Sequence, residues 1–329
     1  MKPSLLQAIH HSWFLFALVV ALGVGHWQGA NFLWLADLKW LRISIVVSVI
    51  FIMALGVPLA DLMKQVAKPY PTLLAACINM LFMPLAAWLL GFALPLSLAG
   101  GFVVAAAIPC TLASAAVWTR RAGGEDSIAM LVMLITNLTC FFVTPLWLLL
   151  LLGKDIQLDV NKMIGELFLL VLIPSLLAQG LRYRFAKVAK LAQQYKVSLS
   201  TIAQIGILLM VMLGSIQMNR STSGNSQFNS SAAYLPYIQA IVAAVTLHGI
   251  ALALGWYTAA AMKFSRREQI GVAISGSQKT LMVGLQICID CGVSILPMVL
   301  YHISQLLIDT FLADWWAQYN RNSSKPEKP

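Results

Sequence analysis

The feature that most constrains this chain is a recurring run of apolar residues, each about 20 residues long, between short segments rich in Lys, Arg, Gly, Pro and Asn. A run of that length matches a hydrocarbon core of roughly 30 Å crossed at about 1.5 Å per helical residue. Backbone amides in hydrocarbon must be satisfied within the segment, so the runs are helices. The weak alternation of ten-residue barrel strands is absent from the sequence. Ten spans are predicted, near 12–29, 41–60, 72–92, 97–118, 128–152, 163–181, 199–218, 235–260, 270–290 and 294–316. With 60% hydrophobic and 10% charged residues and a mean hydropathy of +0.81, the chain cannot cover a soluble surface. The fold class is all-α membrane protein.

Basic residues set the expected orientation. Sixteen of the 22 Lys and Arg fall in one alternating set of segments, including Lys64, Arg120, Arg121, Arg182, Lys190, Arg266 and Arg267, and five in the other. Short cytoplasmic loops are the Lys/Arg-rich ones, so both termini are expected in the cytoplasm of a multi-pass plasma (inner) membrane protein. The net charge of +10 is then an orientation signal, not one for nucleic acid. The first span lacks a small-residue cleavage site and is read as a retained helix. Residues 317–329 are polar and are expected to be a disordered cytoplasmic tail. Cys288 and Cys291 lie one turn apart, but no second pair accompanies them, so no metal site is expected.

Ten spans suggest two halves of five, the second inverted. Asn79 lies nine residues before Trp88 in the third span, and His248 eight before Trp256 in the eighth. The fourth span contains AIPCTLASA from Ala107 and the ninth AISGSQKTL from Ala273. Each puts a backbone breaker at mid-membrane, Pro109 in one and Gly276 in the other, followed by hydroxyl residues: Thr111 and Ser114, then Ser277. Ser275 precedes Gly276. Broken helices leave free amides and half-helix dipoles pointing at a common place, which suits an anionic ligand. From Gln269 to Ile289 the only charged side chain is Lys279. An intramembrane charge either lines a cavity or pairs, and its expected partner is Asp309, on one helical face with His302 and Gln305. His248, His302 and Asp309 are the candidate proton or ion-pair partners. Thr136 and Asn137 are candidates for interhelical contacts.

The segment from Met83 to Trp147, with Pro109-Cys110-Thr111, the TRRAGG turn from Thr119, Thr136-Asn137, Gln278-Lys279 and LPMVLYHISQLL from Leu296, resembles the bile acid:sodium symporter superfamily. It is most similar to the divergent branch holding the seventh vertebrate member of solute carrier family ten and its bacterial and fungal relatives. The resemblance implies ten helices in two inverted five-helix repeats, 1–152 and 163–316. Helices 1, 2, 6 and 7 would form a panel and the others a core, with helices 4 and 9 broken and crossing. Substrate would bind between panel and core, near Asn79, Thr111, Ser114, Asn137, Ser275, Ser277, Gln278 and Lys279.

Sodium-coupled members carry a ninth-helix glutamate where this chain has Ile274, and an asparagine where it has Lys279. Gln278 matches their glutamine. Their fourth-helix asparagine is Ala115 here, their third-helix glutamine is Asn79, and their fifth-helix hydroxyls are Ala129 and Met133. An ammonium about 5 Å from a sodium repels it by roughly 3 kcal/mol at an effective dielectric near 20, about a hundredfold in affinity. Lys279 is therefore read as a built-in cation standing where sodium sits in relatives. A lysine that deprotonates during the cycle would couple transport to protons.

The function these readings favour is secondary transport of a small organic anion, with no cofactor and with most sodium ligands replaced. The alternative is regulation of calcium entry without conspicuous solute flux. Direct calcium transport would need several carboxylates, and the core spans offer Asp309. A hydrolase using Ser277 and Lys279 is disfavoured, because residues two apart on a helix do not face each other. Partners are the solute and membrane lipid; the oligomeric state is left open.

Overall fold

The structure is a computed structural model that describes residues 5–58, 69–111, 114–153, 159–222 and 234–323. Among these residues all regular secondary structure is helical. In chain order the helices are α1 (Leu5–Trp27), α2 (Leu33–Asp37), α3 (Lys39–Leu55), α4 (Pro69–Gly91), α5 (Leu96–Ala107), α6 (Ser114–Arg121) and α7 (Asp126–Leu152). There follow α8 (Val160–Arg184), α9 (Ala186–Gln194), α10 (Lys196–Thr222), α11 (Leu235–Ala261), α12 (Arg266–Ser277), α13 (Leu281–Asp290) and α14 (Leu296–Ser323). A short 3-10 turn, Gly29–Phe32, links α1 to α2.

Seven stretches are long and apolar enough to cross a bilayer: α4, α7, α8, α10, α11, the α12/α13 pair and Leu296–Gln318 of α14. The chain is a multi-pass membrane protein. α1, at 23 residues, covers most of the predicted 12–29 span, whereas α3 ends at Leu55 and α5 at Ala107, so the predicted spans at 41–60 and 97–118 do not reach full length as single helices.

Two sets of neighbours can be traced. Helix α1 lies along α10, α10 along α3, and α3 against α8. Helix α11 lies between α12 and α14, while α12 also packs on α4 and α7, and α14 on α5. Small residues set the closest approach: a Cβ on Gly255 of α11 would lie 2.9 Å from the Ala273 Cα of α12, as expected where packing rather than hydrophobicity joins helices in lipid.

α4 and α8 each contain a π turn just before a proline, at Ile78–Phe82 and Phe168–Leu172. In α4 the Met83 amide bonds the carbonyl of Ile78, five residues back. The next carbonyl in that register, Asn79, faces Pro84, which has no N–H to give.

Two expectations are corrected here. Helix α14 continues to Ser323, so residues 317–323 are not a disordered tail: the helix is anchored just before them, where Trp316 stacks on Trp256 at 5.1 Å, and extending a formed helix is far easier than starting one. Residues 324–329 lie outside the described residues, as do Lys64, Lys68 and most of the loop after Arg220. Gly276 does not break its helix either; α12 runs through it to Ser277.

Candidate functional site

The non-helical residues between α5 and α6, and those between α12 and α13, touch each other: the Thr280 amide donates to the Pro109 carbonyl at 3.0 Å. The first interruption has a local cause. Pro109 cannot donate to a helix and pushes the residue before it into extended backbone, and Ile108 is extended at φ −81°, ψ 164°.

Several backbone groups freed around that proline find partners, as burial demands. Thr144 of α7 donates to the Ala107 carbonyl at 2.8 Å. Thr136 accepts from the Cys110 amide at 3.1 Å, and Asn137 donates to the Cys110 carbonyl at 3.0 Å. The Ile108 carbonyl accepts from Lys279 Nζ at 2.8 Å.

The second interruption, Gln278 to Thr280, is held by tertiary bonds. Asn79 Nδ2 lies 3.2, 3.3 and 2.8 Å from the carbonyls of Ser275, Gly276 and Gln278, capping the end of α12 from another helix. Tyr301 donates to the Ser277 carbonyl at 2.7 Å. Gln305 brackets Lys279, accepting from its amide and donating to its carbonyl at 2.9 Å each. Of the α12–α13 segment's apolar window, 94% is buried inside the protein, which is where irregular backbone at membrane depth is tolerated.

Lys279 has no exposed surface. Its Nζ donates to the Asn79 backbone carbonyl at 2.5 Å, to Asn79 Oδ1 at 3.1 Å and to Ile108 at 2.8 Å. Two of these acceptors are left over by prolines: the Asn79 carbonyl by Pro84, and that of Ile108 by the break at Pro109. The amine also stands at the negative, C-terminal end of α5, where a positive charge is favoured. The positive ends of α6 and α13 begin on the far side of the same interruptions.

The expected Lys279–Asp309 salt bridge is not formed. Asp309, fully buried, accepts from Gln278 Nε2 at 2.5 Å and lies 3.0 Å from His248 Nε2. The lysine is satisfied by carbonyl oxygens, so the carboxylate is free to take the imidazole and the amide instead. His302 is buried beside Gln305, its Nδ1 2.8 Å from Nε2. Gln278 links both sides: its Oε1 accepts from Thr111 at 3.0 Å and Ser114 at 2.8 Å.

Asn79, Thr111, Ser114, Gln278 and Lys279 are therefore in one network, and Asn137 joins it through Cys110. Ser275 and Ser277 are adjacent but turn away: their hydroxyls donate to Gly271 at 2.6 Å and Ala273 at 3.0 Å in their own helix. The sequence reading gave no role to Tyr301, Thr144 or Thr280. Tyr301 could have been found from its place four residues before Gln305 and eight before Asp309, a polar stripe on an apolar span. Arg120 and Arg121 do more than mark topology: Arg120 pairs with Asp126, and Arg121 bonds Asp314 through two nitrogens at 2.7 and 2.8 Å.

A cavity of about 150 Å³ lies between α8 and α13, lined by Glu166, Leu170, Gln286, Ile287 and Asp290 among others. The sequence of the whole chain, compared with known proteins, decides the family. Residues 12–318 match the model of the SBF-like CPA transporter family. The chain belongs to that family. Its relatives include a protein named probable sodium/metabolite cotransporter BASS4, chloroplastic, from Oryza sativa subsp. indica, 28% identical over 66% of this chain and 54% of its own. The sodium/bile acid cotransporter 7 of Danio rerio is 24% identical over 71% of each chain. That of Rattus norvegicus is 22% identical over 94% of this chain and 93% of its own. The chain spans about half the length of the plant relatives it matches. The family and these relatives are membrane cotransporters, not enzymes.

Proposed function

We propose that the chain is a secondary active transporter that moves a small organic anion across the plasma (inner) membrane by alternating access, with the Lys279 ammonium in the place of a coupling sodium. The observation that carries this reading is the amine's setting, three oxygens at 2.5 to 3.1 Å, two on Asn79 of α4 and one on Ile108 in the α5/α6 interruption. A cage of carbonyl oxygens is the coordination a bare hard cation asks for, and here the cation is covalently attached. The relatives' names attach sodium to their transport; this chain is read as having made one such charge permanent.

The accompanying architecture is ten membrane segments in two inverted halves, 1–152 and 163–316, with both termini cytoplasmic. A panel of helices α1, α3, α8 and α10 would move against a core of α4 to α7 and α11 to α14, in which α5/α6 and α12/α13 cross. The neighbour sets described above support that division. So does the density of bonds among α4, α5, α7, α11, α12 and α14 around Lys279, because a body cross-linked that way moves as a unit. The cavity between α8 and α13 lies between the two groups. An anion is the solute that fits, since the α6 and α13 N-termini begin at the crossing and their dipole ends favour negative charge; a bile acid, the solute named for two relatives, is such an anion.

The test is a thermal-shift screen of purified protein with sodium, calcium, pH steps and an anion library, followed by uptake of each stabilising anion into proteoliposomes. Stabilisation and uptake by an organic anion without sodium are expected. Uptake that requires sodium, or stabilisation by calcium with none by any anion, would contradict the reading.

A further inference from the structure

Between Glu166 and Glu268 the sequence contains no acidic residue, yet four cations cluster in that stretch at Arg184, Lys187, Lys190 and Lys196. They belong to the short helix α9 and its two flanks. α9 is joined to α8 by the single residue Phe185 and to α10 by the single residue Tyr195. Both neighbours are of membrane-crossing length. With both ends tied to spans that close by, a nine-residue helix, about 14 Å long, has to lie at the membrane surface.

Its faces are divided accordingly. Ala192 is buried and Val188 and Ala189 half-buried, against the protein. Lys187 and Lys190, three apart and so on one face, are exposed, as are Arg184 and Lys196. Around them stand exposed apolar rings, Tyr183 at 89%, Phe185 at 50% and Tyr195 at 51%, with Leu191 at 51%. Such rings settle at the headgroup level of a bilayer, and lysines reach from there toward phosphates. The Arg184 guanidinium stacks over Phe185 at 5.6 Å. Ion pairs seen at Lys39, Arg120, Arg121 and Arg267 involve none of these four cations.

We propose that α9 and its flanks form a binding site for the phosphate headgroup of an anionic phospholipid, held by Arg184, Lys187, Lys190 and Lys196. Arg182, one turn before, instead donates to the Leu55 carbonyl of α3 at 2.7 Å. A lipid bound at α9 would thus anchor the α3, α8 and α10 group to the membrane surface.

The test uses the full chain in nanodiscs of phosphatidylcholine with a minor fraction of phosphatidylglycerol, with retained lipid counted by native mass spectrometry. The wild type is expected to retain phosphatidylglycerol in preference, on the order of tenfold or more for four surface cations. R184Q/K187Q/K190Q/K196Q should bring the preference close to parity, and K187R/K190R/K196R should keep it. Should the glutamine variant fail to fold, K190E alone must still weaken the preference. No preference in the wild type, an unchanged one in the glutamine variant or in K190E, or its loss in the arginine variant overturns the proposal. So does competition by millimolar inorganic phosphate, which would mark a site for a soluble anion.

Discussion

The Nζ of Lys279 lies 2.8 Å from the carbonyl oxygen of Ile108, so a side chain from one interrupted segment closes the backbone of the other. The same amine takes the Asn79 carbonyl that Pro84 leaves without a donor. Two prolines and one lysine, distant in sequence, thereby complete one another's hydrogen bonding.

Lys279→Ala should therefore destabilise the protein strongly. It removes the donor for three buried oxygens and opens a cavity, and a stranded buried polar group costs about 1 to 3 kcal/mol. A loss of at least about 3 kcal/mol is expected, read as a lower unfolding midpoint in detergent. A midpoint equal to wild type would show that the amine is not what satisfies these carbonyls.

Asp309 and His248 should behave as a unit. Asp309→Ala strands His248 Nε2 and Gln278 Nε2, each stranded buried polar group costing about 1 to 3 kcal/mol. In a double-mutant cycle with His248→Ala the losses should fall short of additive by about 0.5 to 3 kcal/mol. Additive losses would mean that the two side chains do not interact.

Asn79→Leu keeps the branching and heavy-atom count of the side chain but withdraws the amide from the carbonyls of Ser275, Gly276 and Gln278. A loss of about 1 to 3 kcal/mol is expected, with faster hydrogen exchange of amides near the end of α12 than elsewhere in the chain. Exchange that accelerates uniformly would place the capping elsewhere.

Gly255→Ala tests the α11–α12 contact. Its new Cβ would meet the Ala273 Cα at 2.9 Å and the Ala273 nitrogen at 3.3 Å, both backbone, so no rotamer can relieve it. Overpacking of this kind costs about 1 to 3 kcal/mol. Gly249→Ala, on the same helix with nothing within 4 Å, should leave the midpoint close to wild type.

The membrane-spanning helices were legible because hydrophobicity along the chain needs no tertiary information, and the interruption at Pro109 because proline acts on its immediate neighbours. The second interruption was placed at Gly276, two residues early. No local residue stops α12; its end is fixed by Asn79, Tyr301 and Gln305 from other helices. The same limit explains the partner of Lys279. Matching charges in sequence points to Asp309, but backbone carbonyls freed by a proline and a π turn carry no sequence signature, and they hold the amine instead. The direction of the Ser275 and Ser277 hydroxyls has no sequence signature either, since a hydroxyl in a helix is readily satisfied by the carbonyl one turn back.

Direct binding of radioactive sodium to purified protein bears most closely on the central claim. Wild type is predicted to bind no sodium at the crossing, and transport of a stabilising anion to proceed equally in sodium and in potassium. Stoichiometric sodium binding to wild type, lost on substituting Asn79 or Gln278, would contradict it.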